Sequence, residues 1–485
     1  MSRPTTIDEL GRVHIVGIGG AGLSGLARLM LDRGIAVSGS DTRDSSRITS
    51  LRQQGARITI GHDPENIRPD GVLVDTVVDT PIIPDSVADL VAARAAGVPV
   101  LSRAQALAVM LADSRVVGVG GTHGKTTTTS MITVALQHAG VDPSFAIGSE
   151  VNDLGSNAHT GSGEVFVVEA DESDGAFLHM SPVAVVVTNV EPDHMDYWRD
   201  FPALQAGFLE FTGLVQANAG FAVVCIDQAD GAELARQAKQ AGTRVLTYGT
   251  AAAADYRIEI IGSTAAGYEF YVVHETDRFG PLSLQVPGVH NAANATAAFA
   301  VCAGLGVPAA AVIEGLAGFS GARRRFEFRG QSGGIRVYDD YAHHPTELTA
   351  TLTAAREFVG SGRLVVAFQA HHYYRTAMFS KEFGAALGLA DEVVVLEVFA
   401  PGEEPIPGAS GQAMAANVPL PADAVVFEPS FSAVAGHLAR RARPGDLIMT
   451  LGAGDISLLG TEVLAKLQET YSSAPDVPQS ESEAP

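Results

Sequence analysis

Short runs of β-branched and other apolar residues alternate with longer amphipathic stretches along nearly the whole chain. This alternation is typical of α/β proteins, in which parallel strands are joined by helices. The runs form three blocks. The first opens with VHIVGIGGAG, the second opens with Arg115–Val119, and the third contains strands such as IRVYDD and RLVVAF. The pattern therefore predicts an α/β fold with three sheet-containing domains, over residues 1–112, 113–322 and 323–471.

The second block is less regular than the other two. It predicts strands at EVFVVEA, PVAVVVTNV and FAVVCID, followed by a segment from ADYRIEIIGS to GPLSLQV with turn-separated alternation. We expect that segment to add antiparallel strands, and we expect a helix at NAANATAAFAVCAGLG. After the third block, residues 472–485 are rich in Pro, Ser and Glu without periodicity, which predicts a disordered tail.

Composition narrows the classes of function. The 485 residues exceed one typical domain, and 55 acidic against 32 basic side chains give a formal net charge of -23. This charge argues against nonspecific binding to nucleic acid or to an anionic membrane surface. Cys225 and Cys302 form neither a CxxC pair nor a Cys/His cluster, so neither a disulfide framework nor a zinc site is indicated. No run reaches the ~18 apolar residues of a membrane helix and no apolar signal core opens the chain, so we expect a cytoplasmic protein.

The most informative stretch is VVGVGGTHGKTTTTSM, at the start of the second block. A strand, a glycine turn, Gly-Lys-Thr and a helix, in that order, place backbone N–H groups and a helix N-terminus around phosphate oxygens. The strict GxxxxGK[ST] pattern fails because Val119 stands at its first glycine, so the match is to a tighter loop from Gly121 to Thr127. Lys125 would neutralise phosphate charge, and Thr126 would contact Mg²⁺. The alternative is a plain glycine turn with a surface lysine, which fits poorly in a chain with only four lysines.

Acidic side chains follow two predicted strands of the same block. EVFVVEADESD ends one strand with Glu169 and three further carboxylates, and TNVEPDHMD ends the next with His194 among acidic residues. The carboxyl ends of parallel strands meet at one edge of the sheet, which is where α/β proteins bind ligands. Each cluster alone would fit a solvated loop. Two of them beside a phosphate loop predict ligands for a metal ion on the phosphate.

A second glycine pattern, Gly17-x-Gly19-x-x-Gly22, follows the first strand, and Asp41 follows the second strand. By pattern alone this is a dinucleotide fingerprint, so an NAD-dependent dehydrogenase is one reading. The same turn can hold the diphosphate of a UDP-sugar at its helix N-terminus. A dehydrogenase would leave the loop around Lys125 without a role.

The motifs together resemble the Mur ligases, ATP-dependent enzymes that form amide bonds in bacterial peptidoglycan synthesis. The resemblance rests on GTHGKTT at 121–127, VEADESD at 168–174, TNVEPDHMDY at 188–197, GVHNAANATAA at 288–298, RRF at 324–326 and DDYAHHPTE at 339–347. These motifs stand in the family's order and span almost the whole chain. GIGGAGLSGLA and FQAHHYYRT narrow the resemblance to the branch that adds L-alanine to UDP-N-acetylmuramate.

This resemblance implies an N-terminal Rossmann-like domain for the UDP-sugar, a central P-loop ATPase-type domain with a mainly parallel sheet, and a C-terminal Rossmann-like ligase domain. It also implies ATP and two Mg²⁺ ions as cofactors. The carboxylate of UDP-N-acetylmuramate would react through an acyl phosphate with L-alanine, with release of ADP and phosphate. Neither nucleic acid nor a membrane is an expected partner.

By motif, the resemblance assigns roles to residues in all three blocks. The residues expected to bind ATP are Gly121, Thr122, His123, Gly124, Lys125, Thr126, Thr127, His290, Asn291, Arg325 and Asp340. Those expected to bind Mg²⁺ are Thr126, Glu169 and His194. Those expected to bind the UDP-sugar or L-alanine are Gly19, Gly22, Ser24, Asp41, Tyr341, His371 and Arg375, although Ser24 and Asp41 fit turn or cap residues equally well. Lys125, Glu169, His194 and Arg375 are the expected catalytic residues.

Two other readings stay open. A sister ligase would add another amino acid or a peptide to a similar acid, and a nucleotide-gated binding protein would need the phosphate site but no amino-acid pocket. The chain also departs from the family pattern: Ala370 replaces the proline of FQPH, His372 follows at a position that is commonly basic or large, and VVDTPIIP replaces a serine-rich stretch. No lysine lies between His194 and Lys239, so the carbamylated-lysine metal bridge of several sister ligases is absent nearby.

We predict that Lys125→Ala lowers phosphate release by at least about 100-fold, because the loop loses the cation that neutralises phosphate charge. On the expectation that Lys125 is an exposed loop charge, the melting temperature should change little. Measuring phosphate release and the melting temperature on the same preparation tests both parts. Normal turnover would contradict the assignment of this loop to phosphate.

Overall fold

The computed structural model describes residues 4–80, 83–264 and 267–472. The described residues divide into two compact units: the first comprises 4–80, 83–262, Glu269–Gln285 and Asn291–Ala322, and the second comprises 263–264, 267–268, Val286–His290 and 323–472. Ser472, which we expected in the tail, ends the last helix, and the rest of that predicted tail lies outside the described residues. Within the described ranges, no helix is long and apolar enough to cross a membrane.

The N-terminal sheet consists of five parallel strands. They are Val13–Val16 (β1), Val37–Asp41 (β2), Arg57–Ile60 (β3), Thr76–Asp79 (β4) and Val100–Ser102 (β5). Their order is β3-β2-β1-β4-β5, which is the order of a Rossmann-like sheet. The strand order reverses between β1 and β4, so the glycine loop that follows β1 lies at the switch point, where such sheets bind ligands.

The central sheet has ten strands. They are Arg115–Gly120 (β6), Ser144–Val151 (β7), Ser156–His159 (β8), Val165–Glu169 (β9), Pro182–Val187 (β10), Phe221–Cys225 (β11), Val245–Gly249 (β12), Tyr256–Thr264 (β13), Gly267–His274 (β14) and Asp277–Leu284 (β15). Their order is β15-β14-β13-β12-β11-β10-β6-β9-β7-β8. Strand β6 therefore lies in the interior, between β9 and β10, and pairs parallel with both.

The two edges of the central sheet differ from the parallel middle. At one edge, β8 pairs antiparallel with β7. At the other, β14 and β15 are joined through Glu275 and Thr276 alone, a connection that only an antiparallel hairpin allows. The expectation of antiparallel additions is wrong for β13, which pairs parallel with β12 through Tyr248 and Tyr256. Residues 250–255 link the two strands, and the alternation of apolar residues along β13 does not record the direction in which that strand runs.

The C-terminal sheet has six strands in the second unit. They are Glu327–Ser332 (β16), Ile335–Asp340 (β17), Leu364–Phe368 (β18), Glu392–Val395 (β19), Val425–Phe427 (β20) and Leu447–Leu451 (β21). The order is β16-β17-β21-β18-β19-β20, and β16 alone among these six runs antiparallel to its neighbour. Apolar side chains from both faces of this sheet enter two separate cores, which is typical of a sheet covered by helices on both sides.

Sixteen α-helices connect these strands within the described residues. They are Ile7–Leu10 (α1), Ala21–Asp32 (α2), Ser46–Gln53 (α3), Ala88–Ala95 (α4), Arg103–Leu111 (α5), Lys125–His138 (α6), Met195–Trp198 (α7), Phe201–Gly213 (α8), Ala229–Gln240 (α9), Val289–Gly304 (α10), Ala309–Ala317 (α11), Pro345–Val359 (α12), Tyr373–Leu387 (α13), Gly411–Ala415 (α14), Phe431–Arg441 (α15) and Leu459–Ser472 (α16). The helices expected near Leu111 and at NAANATAAFAVCAGLG are α5 and α10. The predicted α/β class with three sheets is confirmed.

The N-terminal and central sheets share one apolar core. Leu26 and Met30 of α2 and Met110 of α5 belong to the same buried cluster as Phe166 and Val168 of β9. This shared core explains why both sheets fall in the first unit. The boundary that the sequence places at residue 112 lies inside this unit, and the three domain boundaries stay predictions.

Glycines within β6 let an aromatic side chain of α8 pack closely on the sheet. A Cβ added at Gly118 or Gly120 would lie 3.3 Å or 2.9 Å from the ring of Phe211 in α8. Phe211 is fully buried, and its ring centroid lies 5.0 Å from that of Phe177. Gly118 and Gly120 therefore leave the space that the ring of Phe211 fills.

We expect Phe211→Ala to lower the free energy of unfolding of the first unit by about 3–5 kcal/mol, because it opens a cavity against glycines that have no side chain to fill it. Phe328→Ala is the control, since this ring is 54% exposed and should cost less than about 1 kcal/mol. Urea denaturation followed by circular dichroism measures both. Equal costs for the two variants would contradict this account of the packing.

Candidate phosphate and metal site

The loop between β6 and α6 has the backbone of a phosphate cradle. Gly121 has φ 118° and Gly124 has φ 79°, conformations that favour glycine, and α6 begins at Lys125. The first intrahelical bond runs from Thr128 N to Gly124 O, so the preceding amides of the first turn have no acceptor within the helix. A helix N-terminus with such amides binds anions.

The residues that follow β10 hold this loop in place. Asn189 Oδ1 accepts a hydrogen bond from His123 N at 2.8 Å, and Thr122 Oγ1 accepts one from Glu191 N at 2.9 Å. His123 Nε2 lies 3.5 Å from Glu191 Oε2. The predicted loop residues Thr122 and His123 are therefore tied to the TNVEPD segment that the sequence marked as the second acidic cluster. Sequence reasoning missed Asn189, although it stands inside a quoted motif.

Lys125 folds back onto its own loop. Its Nζ donates to Gly121 O at 2.7 Å, to Thr122 O at 3.2 Å and to Glu172 Oε1 at 2.9 Å. The side chain of Lys125 is only 13% exposed and that of Glu172 only 1%. The expectation of an exposed loop charge was wrong, so Lys125→Ala would leave Glu172 buried without its cation and should lower stability as well as turnover.

The charged groups around Lys125 shift one another's pKa values. Burial lowers the pKa of Lys125, but Glu172 and Asp171 outweigh it, so the pKa lies above its ordinary value. Burial raises the pKa of Glu172 to about 7, even though Lys125 opposes this shift. Burial also raises the pKa of Asp171, but Lys125 and Arg103 more than compensate, so it lies below its ordinary value.

Two of the expected metal ligands are in direct contact. Thr126 Oγ1 lies 3.1 Å and 3.0 Å from the two carboxylate oxygens of Glu169, and Gly148 N donates to Glu169 Oε2 at 2.7 Å. A hydroxyl beside a carboxylate at the edge of a parallel sheet is the hard-oxygen donor set that Mg²⁺ prefers. The residues therefore fit the ion that the sequence implied.

His194, the third expected ligand, lies in the segment that follows β10. It has φ 55° and precedes α7, its N donates to Asp193 Oδ1 at 2.9 Å, and its Nε2 lies 3.8 Å from Asp193 Oδ2. Because β9 and β10 flank β6 and all three run parallel, Glu169 and His194 follow strands that end at the same edge of the sheet.

A chain of amides links α10 to the phosphate loop. Asn294 Nδ2 donates to Asn291 Oδ1 at 3.3 Å, and Thr128 Oγ1 donates to Asn294 Oδ1 at 3.1 Å. A Cβ at Gly124 would lie 2.7 Å from Asn294 Oδ1. Asn291, an expected ligand of ATP, is thus connected to the loop through Asn294, which sequence reasoning missed. The hydroxyl of Thr128 has this structural role.

The N-terminal glycine loop is closed by Asp41. Gly19 N donates to Asp41 Oδ2 at 2.9 Å. Ser24 is buried in α2, where its N donates to Gly20 O at 2.8 Å. Asp41 therefore fixes the glycine loop, and a role for Asp41 or Ser24 in binding the UDP-sugar stays a prediction.

Arg103 connects this loop with the acidic segment after β9. A Cβ at Gly22, another expected ligand, would lie 3.1 Å from Arg103 Cδ, and Arg103 Nη2 lies 3.7 Å from Asp171 Oδ2 and 3.8 Å from Asp174 Oδ2. Sequence reasoning placed Arg103 in a helix and gave it no role. Its position after a β-strand of the N-terminal sheet was the available signal.

In the second unit, Asp340 is committed to the local backbone. Its Oδ2 accepts from Phe326 N at 2.8 Å and its Oδ1 accepts from Ala342 N at 2.8 Å. Burial raises the pKa of Asp340 to about 6, with Arg325 opposing the shift. Arg325 lies 3.7 Å from Glu347 Oε1. Burial and Arg325 lower the pKa of His290, another expected ligand of ATP, to about 4, so its imidazole is neutral near pH 7.

Tyr341, His371 and Arg375 lie in one neighbourhood of the second unit. The ring of His343 lies 5.1 Å from that of Tyr341 and 6.5 Å from that of His371. Arg375 Nη1 lies 3.5 Å from His371 O, and the side chain of Arg375 is 1% exposed. Burial lowers the pKa of His371 to about 3, with His372, His343 and Arg375 acting in the same direction. Sequence reasoning missed His343, which stands in the quoted DDYAHHPTE motif.

Glu403 holds the start of α13, the helix that carries Arg375. It pairs with His372 Nδ1 and accepts a hydrogen bond from Tyr373 N at 2.9 Å. His372 has φ 70°, which is strained for a residue with a Cβ. His372, one of the positions at which the chain departs from the family pattern, is thus paired with the carboxylate of Glu403.

We expect Gly121→Ala to destabilise the first unit by more than about 2 kcal/mol, since its Cβ would lie 2.1 Å from Thr188 Oγ1 and 2.7 Å from Thr188 N. Gly140→Ala is the matched control, because Gly140 also has positive φ but opens into free space, and it should cost only about 1–2 kcal/mol. Chemical denaturation of the two variants gives the comparison. A larger cost at Gly140 would show that crowding at Thr188 does not constrain the loop.

Comparison with protein families gives three matches in chain order. Residues 12–115 match the model described as Mur ligase family, catalytic domain, residues 119–302 match the Mur ligase middle domain, and residues 324–454 match the Mur ligase, glutamate ligase domain.

Curated relatives match over nearly their full length. One is the UDP-N-acetylmuramate–L-alanine ligase of Acidothermus cellulolyticus, 55% identical over 96% of this chain and 97% of that protein. Another is the enzyme of the same name from Mycolicibacterium smegmatis, 49% identical over 95% of this chain and 96% of that protein.

Solved structures share the fold and, in one case, appreciable sequence. The UDP-N-acetylmuramate–alanine ligase of Thermotoga maritima has a TM-score of 0.78 at 28% identity, covering 95% of this chain and 99% of that one. The murein peptide ligase of Psychrobacter arcticus has a TM-score of 0.68 at 24% identity, covering 94% and 98%. With relatives this similar over the full length and the loop, carboxylates and three sheets in place, the chain belongs to the Mur ligase family.

Proposed function

We propose that this chain is an ATP-dependent ligase that joins L-alanine to the carboxylate of UDP-N-acetylmuramate in peptidoglycan precursor synthesis. The observation that carries the proposal is the contact of Thr126 with Glu169 beside Lys125, in a chain whose full-length relatives are named for that reaction. A phosphate loop with a metal-binding carboxylate is what phosphoryl transfer requires.

The cofactors in this proposal are ATP and Mg²⁺. The loop and helix start from Gly121 to Thr127 would bind the phosphates, through the Lys125 side chain and the first-turn amides of α6. Thr126 and Glu169 would bind one Mg²⁺ through oxygen and His194 a second, and the metal would neutralise charge that develops on the phosphoryl oxygens. A solved relative in fold, a Thermotoga maritima ligase of 18% identity, was crystallised with ADP.

The two chemical steps make different demands on the protein. In the first, a carboxylate oxygen of the sugar acid attacks the γ-phosphorus of ATP and ADP leaves, a step that Lys125 supports by neutralising charge. In the second, the neutral amine of L-alanine attacks the activated carbonyl carbon, the bond from that carbon to the phosphate-bearing oxygen breaks, and phosphate leaves with this oxygen and with the proton that the amine loses. The second step needs an amino-acid site from which water is excluded.

Residues of the second unit provide that amino-acid site in this proposal. Arg375 would pair with the carboxylate of L-alanine, because a planar guanidinium forms a bidentate, charge-assisted pair with a carboxylate. Tyr341 and His371 would line the pocket, and the neutral imidazole of His371 adds no charge to it. The bond between Glu403 and His372 would hold the helix from which Arg375 projects.

The remaining site residues have roles in the same proposal. Gly19 and Gly22 would hold the diphosphate of the UDP-sugar, with Ser24 and Asp41 shaping the loop. His290, Asn291 and Arg325 would contact the nucleotide. Asp340, whose two oxygens already accept backbone N–H groups, fits a role in fixing the segment around Phe326 better than a direct contact.

A cytoplasmic location belongs to the proposal too. Cys225 and Cys302 are both free thiols, and Cys302 is buried, which fits a reducing compartment. The dehydrogenase reading is disfavoured, because nicotinamide chemistry would give no use to Lys125, Thr126 and Glu169 together.

We predict that phosphate is released only when ATP, Mg²⁺, UDP-N-acetylmuramate and L-alanine are all present. Separate incubations with L-alanine, with other single amino acids and with a short peptide, followed by mass spectrometry of the product, identify the amine. Lys125→Ala is the inactive control. A peptide adduct would identify a sister ligase, and tight nucleotide binding without turnover would identify a binding protein.

Oxygen labelling distinguishes the route. With UDP-N-acetylmuramate labelled with ¹⁸O in its carboxylate, one labelled oxygen should appear in the released phosphate. Unlabelled phosphate would contradict the acyl-phosphate step while leaving the ligase assignment in place.

A further inference from the structure

The contacts of Lys125 leave its ammonium fully committed before any nucleotide binds. An ammonium has three hydrogens, and the three acceptors are Gly121 O, Thr122 O and the carboxylate of Glu172. To bind a phosphate oxygen, Lys125 must give up at least one of these. Glu172 is the charged acceptor of the three, so it competes most directly with a phosphate for the same cation.

Glu172 is held where it is while the lysine turns. Its side chain is 1% exposed, and its backbone carbonyl accepts from Trp198 Nε1 at 2.8 Å and from Gly175 N at 3.3 Å. The segment is thus anchored on α7 and on its own turn. When Lys125 turns toward a phosphate, Glu172 stays in its buried position and loses its cationic partner, and burial without a cation disfavours an ionised carboxylate.

We propose that Glu172 is a positioning residue that holds Lys125 in the nucleotide-free protein and that nucleotide binding exchanges this carboxylate for phosphate oxygens, with Glu172 taking up a proton from solvent. This inference rests on the proposed function, since it requires that the loop binds a nucleotide. It gives Glu172 a role in nucleotide binding and couples that binding to proton uptake, and neither follows from the residues expected to bind ATP.

The charged groups around the pair agree with this exchange. Asp171 lies on the same segment and, like Glu169 after β9, faces Lys125, so both favour the charged lysine. Arg103 of α5 has its Nη2 3.7 Å from Asp171 Oδ2 and offsets part of that negative charge. From α7 the contact to Glu172 is the indole of Trp198, which carries no charge. Since burial raises the pKa of Glu172 to about 7 in the nucleotide-free protein, a further rise on binding falls in an accessible pH range.

The pH dependence of nucleotide binding has a definite sign. Below the nucleotide-free pKa, Glu172 already carries its proton and binding requires no uptake. Above this pKa, Glu172 takes up as much as one proton for each nucleotide that binds. The affinity for nucleotide therefore falls by up to about tenfold per pH unit from pH 7 upward. Glu172→Gln carries no titrating group and should bind nucleotide about tenfold more tightly than the natural protein at pH 8, and about equally at pH 6.

Isothermal titration calorimetry with ADP and with a nonhydrolysable ATP analogue, at saturating Mg²⁺, tests this on the full chain. Titrations at pH 6, 7 and 8 in buffers of different ionisation enthalpy count the protons taken up. Asp174→Asn is the control: it removes a charge from the same segment, but Asp174 lies 3.8 Å from Arg103 and accepts from Ala176 N. Its proton uptake should equal that of the natural protein, so protons released by the nucleotide itself cancel in the comparison.

If Glu172→Gln does not fold, the natural protein alone decides. Its infrared difference spectrum on nucleotide binding at pH 8 should lose a carboxylate band and gain a carboxylic-acid C=O band. Equal proton uptake in the natural protein and Glu172→Gln, or no such band, would overturn the exchange and mean that Lys125 bridges Glu172 and the phosphate. Absence of nucleotide binding to the natural protein would instead overturn the proposed function itself.

Discussion

The parallel pairing of β6 with β9 and β10 places the phosphate loop beside two carboxylate-bearing segments. Each strand leads into one part of the site at its carboxyl end: β6 into the loop and Lys125, β9 into the run from Glu169 to Glu172, and β10 into the segment from Asn189 to His194. The contacts among them are short because parallel strands end at one edge of the sheet. Glycines inside β6 let α8 pack against the strand, so the same residues contribute to the core and precede the cradle.

The electrostatics of this edge are those of a buried network. The side chains of Lys125 and Glu172 are 13% and 1% exposed, whereas that of Asp171 is 40% exposed and lies 3.7 Å from Arg103, the first residue of α5. Burying the ion pair of Lys125 and Glu172 is costly and contributes little net stability. The shared core of the N-terminal and central sheets keeps Arg103 within reach of Asp171.

The second unit uses its ionisable residues differently. Asp340 and Glu403 both accept backbone N–H groups. Asp340 accepts from Phe326, which has positive φ. Glu403 accepts from Tyr373, which follows His372, another residue with positive φ. These carboxylates determine the backbone from which Arg325 and Arg375 project.

The sequence by itself determined the α/β class, the three sheets, the position of the glycine loop between β6 and α6, and the family, because these depend on local hydrophobic periodicity and on motifs that fold as units. Only the tertiary structure decided that Lys125 is buried against Glu172, that Asn294 links α10 to the loop, that β13 runs parallel to β12, and that Asp340 has both oxygens committed. The first two depend on groups distant in sequence, and neither the direction of β13 nor the contacts of Asp340 follow from the local hydrophobic pattern. The pattern along a chain records the preference of each residue, whereas burial and pairing are set by the neighbours that folding brings to it.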